Sequence, residues 1–305
     1  MIRRLLDASE WIALLLVAVS ILLHVGPRDA WPFVDIVYYL LQPTPLLMGL
    51  LFVTIVSLRR RAKRPLRWVM IAVSLAVAGW WGIDSFAWPR PVESPPRFRV
   101  VLWNVAYQRW PESMAKQITA LDPDVIALVE LRNEDGKERW SECLPGYSHV
   151  AGDGELAVWS RTPVTDLGKA SLPGRARLRV LQLLIDAQVL PLLLVDVKSD
   201  PRNHRREPLE WVAEQAAVHD AALILGDFNT PSVSRHFAPL RSRWEAAFEA
   251  AGVGYRPTWP TPLPVWDLDQ VWLDPARLTV GQAYSEWTWH SDHRPVVVDL
   301  RLGSQ

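Results

Sequence analysis

The amino-terminal part of the chain contains three long apolar runs separated by short polar segments. They cover residues 11–25, 33–58 and 68–88. A helix needs about 20 residues to cross the hydrocarbon core of a bilayer, so the second and third runs are long enough and the first requires Leu5 and Leu6. A cleaved signal peptide would contain one such run. We therefore predict three transmembrane helices, the second kinked at Pro43 and Pro45, since proline lacks a backbone donor.

Basic residues give these helices a predicted orientation. Six of them lie in the link between the second and third runs: Arg59, Arg60, Arg61, Lys63, Arg64 and Arg67. Short loops rich in lysine and arginine remain in the cytoplasm, which places this link and the amino terminus inside. Three crossings then put everything after Trp88 on the outer side of the cell membrane. The sequence predicts a multi-pass protein of the cytoplasmic membrane with an extracytoplasmic domain.

A proline-rich segment marks the end of the membrane region. Residues 89–97 are rich in proline, which favours an extended, semi-rigid tether. We assign residues 1–88 to a membrane anchor, residues 89–97 to a linker and residues 98–305 to an outer domain. Ten of the 33 basic residues precede Arg97, against six of the 33 acidic residues, so the outer domain is mildly acidic. It lacks the basic surplus typical of proteins that bind nucleic acid without reading its sequence.

The outer domain alternates short apolar runs with turn residues. Eight runs are predicted to be buried strands, at residues 100–105, 125–131, 156–160, 180–187, 190–197, 222–225, 268–273 and 295–302. Two segments have apolar residues at helical spacing, at residues 112–121 and 208–219. Many strands with a few intervening helices predict two packed sheets flanked by helices.

Polar residues stand at the ends of several of these strands. They are Asn104, Glu130, Asp227, Asn229, Asp269, Asp292 and His293. A single polar residue at a strand end is commonly a turn residue. A set spread over the whole domain is harder to explain by turns alone, and indicates polar groups that act at an edge of the strands.

Short motifs around these residues carry a family resemblance. The most specific are Gly226-Asp227-Phe228-Asn229 and Ser291-Asp292-His293. Trp103-Asn104, a strand that ends in Glu130, and Leu268-Asp269-Gln270-Val271 occur in the same order and at suitable spacings. From about Arg99 to Leu302 the chain resembles the endonuclease/exonuclease/phosphatase superfamily, which includes deoxyribonuclease I, inositol phosphatases and neutral sphingomyelinases.

The resemblance implies a fold and a metal site. The fold is of the α+β class, a four-layer α/β/β/α sandwich like that of deoxyribonuclease I, here preceded by three transmembrane helices. Glu130 is implied as the principal ligand of Mg²⁺ or Mn²⁺, with Asn104 and Asp292 close to the metal. Mg²⁺ prefers oxygen ligands and keeps several waters, so one or two carboxylates suffice.

The resemblance also implies catalytic roles. His293, oriented by Asp269, would act as general base or charge stabiliser. Asp227 would position the attacking water, and Asn229 would hold a phosphate oxygen. A carboxylate beside a histidine fixes its tautomer and raises its basicity, so the residue types suit hydrolysis of a phosphoester.

The sequence departs from the family at one strand. Many members carry a histidine where this chain reads Asp196, and Lys198 could supply charge there instead. Arg161 ends another predicted strand. We take these three residues as candidate substrate contacts.

The membrane anchor favours a substrate at the membrane surface. A tether of a few residues would keep the site near the outer leaflet, where lipid-linked phosphates and pyrophosphates are concentrated. The layout also resembles membrane proteins of this superfamily linked to teicoplanin resistance, which are thought to act on polyprenyl pyrophosphate carriers. The preferred hypothesis is a metal-dependent hydrolase of a lipid-linked phosphate or pyrophosphate. The alternatives are an extracytoplasmic nuclease and a catalytically inactive binding domain; no protein partner is evident.

Overall fold

A computed structural model describes residues 2–58, 64–89, 98–108, 110–132 and 136–303. The chain divides into two units, Met1–Ala87 and Trp88–Gln305. The predicted proline-rich linker lies almost entirely outside the described residues, as does most of the basic link between the second and third apolar runs.

The first unit consists of helices. They are α1 (Ile2–Val25), α2 (Val34–Leu40), α3 (Pro43–Leu58) and α4 (Arg64–Ser85), followed by the two-residue strand β1 (Phe86–Ala87). Two helices are long and apolar enough to cross a membrane, within Ala8–Val25 and Pro65–Ser85. The second predicted span is divided, because α2 and α3 meet at a bend of 61°. If this pair of helices is counted as one span, the described residues contain three candidate membrane spans. The break falls at the predicted prolines, since Pro43 begins α3 and has no amide hydrogen to continue α2.

Helices of the first unit are joined by small polar side chains as well as apolar contacts. Leu50 and Met70 are fully buried between helices. Thr54 and Ser74 exchange a hydrogen bond of 3.0 Å between α3 and α4, and the Ser20 hydroxyl donates to the Leu41 carbonyl over 2.8 Å. Hydrogen bonds of this kind hold helices together in apolar surroundings, where hydrophobic attraction between them is weak.

The second unit contains two six-stranded sheets. The strands of the first sheet are, in spatial order, β13 (Leu278–Ser285), β14 (Val296–Leu302), β2 (Phe98–Asn104), β3 (Val125–Val129), β5 (Leu156–Ser160) and β4 (His149–Asp153). Those of the second sheet are β10 (Glu245–Ala246), β12 (Asp269–Leu273), β9 (Leu223–Asp227), β8 (Gln188–Val197), β7 (Ala176–Ile185) and β6 (Val164–Leu172). Within these two sheets the pairs β2–β3 and β8–β9 are parallel, and the other described pairs are antiparallel. The short strand β11 (Gly254–Tyr255) follows β10 in the chain.

Helices cover the outer faces of both sheets. They are α5 (Pro111–Ala120), α6 (Gly136–Cys143), α7 (Arg206–Val218) and α8 (Ala238–Arg241), with a 3₁₀ turn at Arg235–Phe237. The short helix α9 (Ala247–Ala251) instead contributes Ala247 to the core between the sheets. One core lies between the sheets and includes Leu102 and Leu225. A second packs α5 and α6 against the first sheet around Trp103, and a third packs α7 and α8 against the second sheet around Ile224. These layers confirm the predicted α/β/β/α sandwich.

All eight predicted strands are present, and the strands that the sequence missed are mostly at sheet edges. β4, β6 and β13 each lie at the end of a sheet. The sequence of β6, VTDLGKASL, is largely exposed and has no apolar run. An edge strand is stabilised by its ladder of hydrogen bonds more than by burial, so apolar periodicity does not reveal it.

The close approach of β8 and β9 depends on Gly226. A Cβ added there would lie 1.9 Å from the Val195 carbonyl oxygen, and φ at Gly226 is +157°.

We predict that Gly226→Ala lowers the free energy of unfolding by about 3 kcal/mol, because the strands must separate. Urea unfolding of the whole chain in detergent, followed by near-UV circular dichroism, measures this. Gly281→Ala is the control, as its nearest neighbouring atom is 3.5 Å away; equal effects would contradict the prediction.

Candidate active site

The site begins where the two sheets meet at the carboxyl ends of their parallel strands. Asn104 ends β2 and Asp227 ends β9. Alternate residues of each strand, such as Leu102 and Leu225, face the core between the sheets, so the terminal polar side chains face the same way. The Asn104 Nδ2 donates to Asp227 Oδ2 over 2.9 Å and thereby links one sheet to the other.

A histidine–aspartate pair lies next to this link. Asp269 begins β12 directly opposite Asp227 in the antiparallel register. His293, in the loop before β14, shares a hydrogen bond of 2.8 Å between its Nδ1 and Asp269 Oδ2. The other ring nitrogen, Nε2, is 3.9 Å from Asp227 Oδ2. Two hydrogen bonds of 2.8 Å hold this loop against β2. Trp103 Nε1 donates to the His293 carbonyl, and the Ser291 hydroxyl donates to the Asn104 backbone carbonyl.

The turn after β9 places a second amide beside Asp227. Asn229 has a left-handed backbone, with φ of +46°. Its backbone amide donates to Asp227 Oδ1 over 2.8 Å. Its side-chain Nδ2 donates to the Val197 carbonyl over 2.8 Å and lies 3.1 Å from Asp227 Oδ2. Four residues predicted as catalytic, Asp227, Asn229, Asp269 and His293, are therefore brought together.

Burial and like charges shape the protonation of this group. Burial first, and the neighbouring Asp269 carboxylate second, raise the pKa of Asp227 well above its usual value. Burial alone would lower the pKa of His293, but Asp269, Asp227 and Asp292 outweigh it and raise the pKa to about 10. A histidine surrounded by carboxylates is stabilised in its charged form. His293 is therefore positively charged at neutral pH.

Glu130 joins the site through a break in its strand. β3 ends at Val129, and Glu130 has a left-handed backbone with φ of +58°. The pKa of its carboxyl group is raised, by burial first and by Asp196 second, and lowered by His293 and by a hydrogen bond with Asn104. Burial and the neighbouring Asp196 therefore disfavour the charged form of this carboxyl group, and a bound cation would favour it.

Oxygen atoms that could hold such a cation come from both sides of the site. Glu130 and Asn104 contribute from the first sheet, and Asp292, from the loop before β14, is exposed. One Asp292 oxygen accepts a hydrogen bond of 3.0 Å from Trp259 Nε1. Carboxylate and amide oxygens suit Mg²⁺ or Mn²⁺, so the residues present fit a divalent metal.

A more compact group of metal-ligating atoms is formed by Asp227, Asp269 and His293, within 4.8 Å of one another. In this group His293 Nδ1 is already hydrogen-bonded to Asp269. Coordination through that nitrogen would break the bond and cost the buried carboxylate its partner. The second nitrogen, Nε2, is not used in that hydrogen bond and lies 3.9 Å from Asp227 Oδ2.

Asp196 lies inside the site, on the strand next to Asp227 and in register with it. Its carboxylate is almost completely buried and accepts a hydrogen bond of 2.7 Å from Arg177 Nε on β7. Lys198 Nζ is 3.4 Å from the same carboxylate. Arg177 was not predicted as a site residue, and it also forms an ion pair with Glu155.

Arg161 does not lie with the other candidate residues. It follows Ser160, which pairs with Val125 at the beginning of β3, whereas Glu130 follows the end of that strand. Arg161 instead forms an ion pair with Asp122. Because β5 runs antiparallel to β3, its last residue lies at the opposite end of the sheet, and the structure does not bring Arg161 together with Glu130.

Known proteins resemble this chain over the same region. Residues 101–293 match the model of the endonuclease/exonuclease/phosphatase family. Mannosyl-6-phosphatase of Bacteroides thetaiotaomicron VPI-5482 has a TM-score of 0.53 at 16% identity, over 67% of this chain and 99% of that one. The human Nocturnin catalytic domain, solved with a sulfate anion, has a TM-score of 0.53 at 18% identity, over 68% and 94%. D. rerio TDP2 with a single-strand DNA product has a TM-score of 0.51 at 16% identity, over 67% and 98%.

A comparison with curated proteins found no significant match. The likeness to the solved structures, at identities below a fifth, demonstrates a shared fold. The family model covers more than half of the chain and spans the strands that carry Asn104, Glu130 and Asp227. The chain belongs to the endonuclease/exonuclease/phosphatase family, whose members are hydrolases that act on phosphoesters.

Proposed function

We propose that this protein is a membrane-anchored, divalent-metal-dependent hydrolase of a lipid-linked phosphate or pyrophosphate at the outer face of the cytoplasmic membrane. The observation that carries the proposal is the convergence of Asp227, Asp269 and His293 at the edge where Glu130 lies. Buried carboxylates facing a charged histidine are costly to a fold, and such groups cluster where catalysis requires them.

Each residue of the site has a separate role in the proposed hydrolysis. A bound Mg²⁺ or Mn²⁺ near Glu130 would neutralise charge on the phosphate oxygens. His293, charged and held by Asp269, stabilises the negative charge that develops on the reacting phosphate. Asp227 orients the attacking water and, with its raised pKa, accepts the proton of that water. Asn229 donates one side-chain amide hydrogen to the Val197 carbonyl and turns the other from Asp227 to a phosphate oxygen.

The choice of a lipid substrate rests on the amino-terminal helices. Two or three of them are long and apolar enough to cross a bilayer. A domain tethered to a membrane meets lipid-linked substrates at high local concentration, whereas a nuclease gains little from a tether. The outer domain also lacks the basic surplus that nucleic-acid binding favours.

The substrate class is tested with the full-length chain in detergent micelles and Mg²⁺. We expect release of phosphate from a polyprenyl pyrophosphate or phosphate, and none after chelation of the metal. Sphingomyelin, a glycerophospholipid and plasmid DNA are tested in parallel. Turnover of DNA alone would replace the proposal with a nuclease. No turnover of any substrate, with no Mn²⁺ binding, would indicate a binding domain.

The histidine–aspartate pair gives a second prediction. His293→Ala should lower kcat by roughly 10²- to 10⁴-fold, because charge stabilisation in the transition state is lost. Asp269→Asn should have a smaller effect in the same direction, since the ring remains but its partner charge is removed. The control is His290→Ala, because His290 is exposed. Comparable kcat for His293→Ala and His290→Ala would contradict the assigned role.

Glu130 gives a third prediction. Glu130→Gln keeps the size of the side chain and removes the charge that a cation requires. We expect the Mg²⁺ concentration for half-maximal activity to rise by about tenfold or more, and Mn²⁺ binding measured by electron paramagnetic resonance to weaken in parallel. Glu112→Gln, on the outer surface of α5, is the matched control. Unchanged metal binding in Glu130→Gln would place the metal elsewhere.

A further inference from the structure

Trp259 joins the loop before β12 to the residues of the site. Its indole Nε1 donates a hydrogen bond of 3.0 Å to Asp292 Oδ2. Asp292 is the exposed member of the three residues expected near the metal, since Asn104 is buried and Glu130 is half-buried. The tryptophan therefore contacts the candidate metal ligand that the protein encloses least.

The side chain of Asp292 depends on this contact for a fixed orientation. A carboxylate exposed to water can occupy several rotamers, whereas a metal ligand must be held in one of them. Within the described part of the chain, the Asp292 carboxylate accepts no hydrogen bond other than that from Trp259. Asn104, by contrast, is oriented by its hydrogen bond to Asp227. The indole is thus the group that selects one orientation of Asp292.

The indole of Trp259 is itself held in place. Its ring stacks on that of Trp266, with centroids 5.5 Å apart and planes 18° from parallel. The backbone amide of each residue donates to the carbonyl of the other over 2.9 Å. A donor that stacking and backbone pairing have already fixed loses little freedom when it binds an acceptor. Trp259 therefore offers Asp292 a rigid partner.

The backbone of Asp292 is held by the same loop. The Thr261 amide donates to the Asp292 carbonyl over 2.8 Å, and the Thr261 hydroxyl donates to the Ser291 carbonyl over 2.6 Å. On the other side, the Ser291 hydroxyl donates to the Asn104 carbonyl. Residues 259–261 therefore restrain both the main chain and the side chain of Asp292.

The hydrogen bond from Trp259 to Asp292 is not needed to satisfy the indole. A fully buried indole N–H requires an acceptor from the protein. Trp259 is only half-buried, and its bond to Asp292 lies in an exposed part of the structure, so water would serve the same donor. The consequence of the bond therefore falls on Asp292 rather than on the stability of the loop.

Trp259 lies near the reacting groups without taking part in proton transfer. The centroid of its ring is 6.3 Å from that of His293. An indole N–H donates a hydrogen bond and has no lone pair with which to accept one, so it cannot take the proton of the attacking water. Its influence on the reaction must pass through the group that it holds.

We propose that Trp259 is a positioning residue for the divalent metal: its indole fixes one oxygen of Asp292 and leaves the other oxygen for the cation near Glu130. The inference rests on the metal dependence of the proposed function and not on its substrate. Hydrogen bonds to a metal-ligating carboxylate orient the ligand, and their loss typically weakens metal binding by about 10- to 100-fold.

The test is a titration of the full-length chain in detergent micelles with Mn²⁺, followed by electron paramagnetic resonance. Trp259→Phe keeps the stacked ring and removes the donor, and we expect it to raise the dissociation constant for Mn²⁺ roughly tenfold. In the background of Asp292→Ala, Trp259→Phe should have no further effect, because the indole acts through that carboxylate. Trp289→Phe is the matched control, since Trp289 is an exposed tryptophan of the loop before β14.

Two results would overturn the inference: an unchanged Mn²⁺ affinity in Trp259→Phe, or an equal weakening with and without the Asp292 carboxylate. The proposed function fails separately. A wild-type chain that binds Mn²⁺ but hydrolyses no lipid-linked phosphate would leave the role of Trp259 standing. A wild-type chain that binds no Mn²⁺ would remove both.

A second measurement needs no metal. With ¹⁵N-labelled tryptophan and a chelator present, the indole resonance of Trp259 is the one lost in Trp259→Phe. We expect Asp292→Ala to shift this resonance, because the charge-assisted hydrogen bond is removed, and Trp289→Phe to leave it in place. A Trp259 resonance that does not respond to Asp292→Ala would contradict the proposed positioning.

Discussion

Two buried carboxylates that face each other across adjacent strands are the constraint on which the rest of the site depends. Asp227 and Asp269 are opposite in the β9–β12 register, and both are almost fully buried. Two negative charges on directly opposed strand residues destabilise the fold unless a cation or a proton neutralises one of them. His293 supplies the positive charge, hydrogen-bonded to one carboxylate and 3.9 Å from the other. Because His293 comes from the loop before β14, compensation of this charge also ties the first sheet to the second.

The alternation of side chains in a strand explains how one edge collects so many polar groups. Asn104, Asp196 and Asp227 continue the set of residues that pack between the sheets, and they do so where the core ends. Burial there is deep enough to raise the pKa of Asp227, while Asp292 in the loop before β14 is exposed. Glu130 would point toward the helical layer if its strand continued, but its left-handed backbone redirects it. The position at which each strand ends therefore determines the site, because a shift of one residue would move these side chains to the other face of the sheet.

The strands and polar endings could be predicted from the sequence because both are local signals. Buried strands have apolar runs, and the motifs at Asp227 and His293 are contiguous in the chain. The edge strands β4, β6 and β13 are stabilised mainly by pairing, which composition does not record. Arg161 could not be placed from the sequence, because the direction of a strand within its sheet is unknown until its partner is known. In the structure β5 is antiparallel to β3. Arg177 was missed because β7 was predicted to begin at residue 180, so its first residues had no assigned face.

The negative charge of Asp196 is compensated by basic side chains around it. The family resemblance leads one to expect histidine there, a side chain that can carry positive charge. A buried aspartate adds negative charge instead, and this charge contributes to the raised pKa of Glu130. The same carboxylate accepts from Arg177 and lies near Lys198, so two cations stand where one would have been. This positive charge comes from β7 and from Lys198, which follows the end of β8. Both cations also lie beside Glu155, so the negative charge of the buried Asp196 is compensated within the protein.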